Sequence, residues 1–108
     1  MKTYDIFKLL TEEQVKTMLA ARYYLVRDGG SLKTGNYCCP LGMALGPSVR
    51  PRPTPDLIAA TLAPEHPEYT RDQIVAMAIE YVDDNDSGEV HPDDLPEIVR
   101  LSRLDSES

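Results

Sequence analysis

Between Asp83 and Leu95 the chain sets oxygen-bearing side chains at alternate positions, Asp83, Asn85 and Ser87, directly before Gly88. That spacing can wrap oxygens round a hard cation. Calcium takes about six to eight oxygen ligands, and a glycine at the sixth position of a roughly twelve-residue loop permits the sharp turn that a positive φ requires. Numbered this way, Glu89 offers its backbone carbonyl at the seventh position, and Val90 is the apolar residue that turns inward at the eighth. His91 acts through water at the ninth, and Asp94 closes the loop at the twelfth. The ligand set expected is therefore Asp83, Asn85, Ser87, Glu89 and Asp94 around a calcium ion (Ca2+). Residues 80–97 also carry eight acidic side chains and no Lys or Arg, a concentration that draws cations whatever the detailed geometry.

The same residues support a second reading. Asp94-Leu95-Pro96-Glu97 has the pattern of a capping box, with Asp94 as the cap, Pro96 in the first turn and Glu97 reaching back. Asn85-Asp86-Ser87-Gly88 is then only a turn, rich in the residues turns prefer. Pro96 fits this version. Inside an exit helix starting near Pro92 it would cost about 3 kcal/mol.

Over residues 83–95 the chain resembles an EF-hand, and more closely the loop of dockerin modules, which ends in Asp rather than Glu. The resemblance implies a calcium-binding loop between two helices. It departs from the family pattern at Asp94, shorter than Glu, at Ser87 in place of the commoner Asp, and in showing no second loop. Across most of its length the chain also resembles small uncharacterised bacterial and phage domains. The likeness lies in Cys39-Pro40-Leu41-Gly42-Met43-Ala44 and in Asn85-Asp86 after a late helix, and implies that the loop is a shared structural feature.

Elsewhere the chemistry is sparse. Cys38 and Cys39 are adjacent and, with His66 and His91, do not make up a four-ligand zinc set. They read as packing residues, or as thiols activated at a helix N-terminus. No nucleophile, base and orienting group stand at a recognisable spacing, and no glycine-rich phosphate loop follows a strand. The chain is therefore expected not to be an enzyme. Val49 to Pro55 is basic and proline-rich, and reads as an extended connector.

Helices must position these residues. Thr11-Glu12-Glu13-Gln14 and Thr70-Arg71-Asp72-Gln73 are capping boxes, and Leu10 with Val15 and Tyr69 with Ile74 have the spacing of hydrophobic staples. The first box opens a helix whose stripe runs through Val15, Met18, Leu19, Tyr23, Leu25 and Val26, stopped by Gly29-Gly30. Asp5 to Leu10 forms a shorter turn in front. Pro40 starts a short helix that Gly46 ends, and Thr54 caps another through Leu57, Ile58 and Leu62 that Pro64 and Pro67 close. The second box opens a helix over Thr70 to Val82 with Ile74, Val75, Ala78, Ile79 and Val82 on its apolar face. A last helix holds Leu95, Ile98, Val99 and Leu101. The fold expected is mainly α, a small irregular bundle of about four helices joined by Pro/Gly-rich loops. It forms a single domain over 1–104 with a frayed tail at 105–108.

The 108 residues carry 18 acidic against 11 basic side chains, a net charge of -7. Such a surface stays soluble and repels phosphate backbones, so direct nucleic-acid binding is not expected. No basic stretch leads into an apolar run, and no window approaches the length of a membrane span, so the expectation is a cytoplasmic protein. These features point to an acidic protein-interaction or regulatory module whose partner is a protein with a basic surface, of the kind a phage uses to inhibit a host protein. A calcium-binding domain is the alternative.

Overall fold

Local sequence grammar sets most of the helix ends in the computed structural model, which describes residues 2–27, 40–46 and 54–104. Among these the architecture is helical, without strands. A 3-10 turn at Asp5–Leu9 precedes α1 (Glu12–Arg27); α2 (Pro40–Leu45), α3 (Pro55–Leu62), α4 (Arg71–Asp86) and α5 (Leu95–Leu104) follow, with further 3-10 turns at Ala63–Glu65 and Pro92–Asp94. Cys38, Cys39, the Gly29-Gly30 stop, most of the proline-rich strip and the tail at 105–108 lie outside the described residues, as do the side chains of Tyr23, Leu25 and Val26.

Both capping boxes form. The Thr11 amide donates to Gln14 Oε1 at 2.8 Å and the Gln14 amide to Thr11 Oγ1 at 3.1 Å. Thr70 and Gln73 repeat the exchange at the head of α4 with the same two distances. Each box satisfies two backbone donors that a helix start leaves open. Thr54 caps α3 through the Leu57 amide, with Pro55 in the first turn where no amide is missed. Gly46, at φ +98°, ends α2.

α3 lies against α4, α1 against α2, and the N-terminal turn lies against both α4 and α5. At the centre stand three aromatic rings, Tyr4, Phe7 and Tyr81, meeting edge to face at centroid distances of 5.0 to 5.9 Å. Such pairs contribute roughly 0.5–1.5 kcal/mol each beyond the area they bury. Ile6, Leu9, Met18, Ile58, Leu62, Ile74, Leu95 and Val99 pack around them. The buried stripe of α4 is Ile74, Ala78 and Tyr81, while Ile79 remains 43% exposed. The apolar face expected over Ile74 to Val82 is thus rotated toward Tyr81. An aromatic at the i+7 position offers more buried area than Ile79, and the N-terminal turn supplies Tyr4 and Phe7 to cover it.

The N-terminal segment is held by polar contacts as well. The buried Tyr4 amide donates to Ser102 Oγ at 2.9 Å, and Ser102, fully buried in α5, donates to the Ile98 carbonyl at 2.7 Å. Arg103 Nη1 donates to the carbonyls of Phe7 and Leu10. These oxygens belong to the end of the 3-10 turn, where helical partners run out. His66 Nε2 lies 2.8 Å from the Leu9 carbonyl and Nδ1 lies 3.1 Å from Glu68 Oε1.

Candidate interaction surface

The acidic segment begins while the chain is still helical. α4 continues through Asp83, Asp84, Asn85 and Asp86, four residues beyond the end expected at Val82. It then closes on a full Schellman motif. Ser87 is the C-cap, the Gly88 amide donates to the Asn85 carbonyl at 3.2 Å, and the Glu89 amide donates to the Asp84 carbonyl at 2.9 Å. Gly88 sits at φ +80°. In this conformation a side chain is disfavoured and glycine is the usual solution. The glycine expected at the sixth place of an ion loop thus serves here to end a helix. Both roles need the same left-handed backbone, and residue type alone does not separate them.

Each of the expected ligands has a definite position. Asp83 and Asn85 stand two residues apart on a regular helix, where side chains do not face each other. Asn85 Oδ1 accepts from the Tyr81 hydroxyl at 3.5 Å, and Ser87 Oγ donates to the Asp84 carbonyl at 3.0 Å. Glu89 follows the glycine, exposed. Asp94 ends the 3-10 turn at Pro92–Asp94, its amide donating to the His91 carbonyl at 3.0 Å. The alternate spacing of Asp83, Asn85 and Ser87 would converge on one ion from a loop; as a helix and its cap it does not. Among the described residues no three His, Cys, Asp or Glu side chains gather where they could hold a metal ion.

Pro96 is the second residue of α5, in the first turn, where it breaks no helical hydrogen bond. Glu97 is paired with Arg100 in the next turn: Arg100 Nε donates to Oε2 at 3.1 Å and Nη2 to Oε1. That pairing, rather than a reach back to Asp94, occupies the Glu97 carboxylate and holds it below the usual carboxylate range.

One acidic residue is built into the fold. Asp84 Oδ2 accepts from Lys2 Nζ at 2.6 Å and from the Tyr4 hydroxyl at 2.8 Å. The Lys2 bond first, and the Tyr4 bond second, hold the Asp84 carboxyl below its ordinary value. Burial, then the same hydrogen bond, pushes the Tyr4 hydroxyl well up. Sequence reading did not anticipate Lys2 or Tyr4 here. Their partner lies 80 or more positions away, and no local periodicity reports such a pair. Tyr81 did leave a signal, since Ile74, Ala78 and Tyr81 share one helical face.

The remaining carboxylates face solvent. Glu80, Asp83, Asp86, Glu89, Asp93, Asp94 and Glu97 are all exposed. Lys2 approaches Glu80 at 3.7 Å, and His91 approaches Asp93 at 3.8 Å. Among the described residues Asp83, Asp86, Glu89 and Asp94 form no ion pair. The last turn of α4 carries no basic residue. Carboxylates there lie against the negative end of the helix dipole, which costs a few tenths to about 1 kcal/mol per exposed charge. Lys2 relieves that cost at Asp84 and leaves it standing at Asp83 and Asp86.

No helix among the described residues is long and apolar enough to cross a membrane. Comparison with family models, with curated proteins and with solved structures returns no match.

Proposed function

We propose that the chain is a non-enzymatic interaction or regulatory module that docks, through the acidic end of α4 and the segment after it, on a basic surface of a partner protein. An inhibitor of a host protein, of the kind phages encode, is the biological setting that suits it best. The observation that carries this reading is the placement of Asp83 and Asp86. They stand at the wrong end of a helix dipole, exposed, with no compensating cation among the described residues. A sequence that breaks a local rule without local compensation marks a site kept for something other than stability. Glu89, Asp93 and Asp94, exposed as well, follow in the segment after α4. Five exposed carboxylates on a helix end and a short turn present a field that a basic patch complements. Association guided by such a field is fast at low salt and weakens as ions screen it, over a length of about 8 Å at physiological ionic strength.

The test is affinity capture from a bacterial lysate with the whole chain and with an Asp83→Asn/Asp86→Asn/Asp94→Asn variant, washed at increasing salt. The reading expects a protein with a basic surface that the parent chain retains at low salt and releases as salt rises, and that the variant does not retain. A partner held equally by both proteins would place the binding surface elsewhere.

A further inference from the structure

We draw no further inference here: the strongest candidate, the apolar groove between α1 and α5 lined by Val15, Leu19, Val99 and Leu104, carries none, because nothing among the described residues shows what covers it, and Arg100 and Arg103 on its wall are already committed to Glu97 and to the Phe7 and Leu10 carbonyls.

Discussion

Replacing Ser102 by alanine isolates one long-range contact. In the parent chain Ser102 Oγ accepts the buried Tyr4 amide at 2.9 Å and donates to the Ile98 carbonyl at 2.7 Å. The second bond is dispensable, because the Ile98 carbonyl is also a normal helical acceptor within α5. The first is not. Alanine leaves the Tyr4 amide buried without a partner, which costs about 1–3 kcal/mol. A better helix former at position 102 returns a few tenths of that. The net expectation is a loss of about 2 kcal/mol. At roughly 4–8 °C per kcal/mol for a domain near this size, Tm falls by about 8–16 °C. Urea denaturation followed by far-UV circular dichroism measures it, with an unchanged slope showing that the same surface is exposed on unfolding. Thr17→Ala is the control. Thr17 makes the same kind of backbone bond, to the Glu13 carbonyl at 3.0 Å, but is exposed and anchors nothing distant. It should change stability by less than about 0.5 kcal/mol. If Ser102→Ala were as mild as that control, the docking of the N-terminal segment on α5 would be wrong.

Three further outcomes follow from the acidic end of α4. Asp84 has a folded pKa below its ordinary 3.8, so its contribution is present above that pH and disappears as pH falls through the folded value. Tyr4 has a folded pKa above its ordinary 10.0, so its contribution is present below pH 10 and disappears as pH rises through the folded value. Urea midpoints against pH should therefore fall on both sides of this window, and Tyr4→Phe should flatten the alkaline side. Parallel alkaline falls in the two proteins would remove Tyr4 from the account. Gly88→Ala meets open space but must hold φ +80°, so it should cost about 1–2 kcal/mol by conformation alone, read as a lower denaturation midpoint. Were the alanine variant as stable as the parent, the Schellman closure would not be the glycine's role. A calcium-bound native state would raise the melting temperature by mass action. With α4 helical through Asp86, the midpoint should be the same in millimolar calcium and in chelator, and a rise that Asp83→Ala abolishes would restore the ion-loop reading.

What could be read directly from the chain was its punctuation. Thr11 with Gln14, Thr70 with Gln73, Thr54 with Pro55, and Gly46 are signals that act within a few residues, and each does in the structure what its type implies. The helical class follows from them. The end of α4 was not legible, because Asp83 to Gly88 satisfies three grammars at once: an ion loop, a turn, and a helix closing on glycine. Tertiary contacts decide among these. Asp84 is tied to Lys2 and Tyr4 at the far end of the chain, and within the helix Asn85 stands one turn from Tyr81. On α4 the expected Ile74, Val75, Ala78 and Val82 do meet the core, but Tyr81 rather than Ile79 completes the face, since nothing near Tyr81 in sequence announces that Tyr4 and Phe7 will cover it. The groove between α1 and α5 was invisible for the same cause, its walls lying some eighty residues apart.

The most direct test of the proposed function is the salt dependence of binding to the captured partner, measured for the parent chain and for the variant lacking Asp83, Asp86 and Asp94. The account predicts that the dissociation constant of the parent rises steeply with ionic strength, and that the three substitutions both weaken binding and flatten that rise. Affinity indifferent to salt, or the same slope with and without these carboxylates, would contradict it.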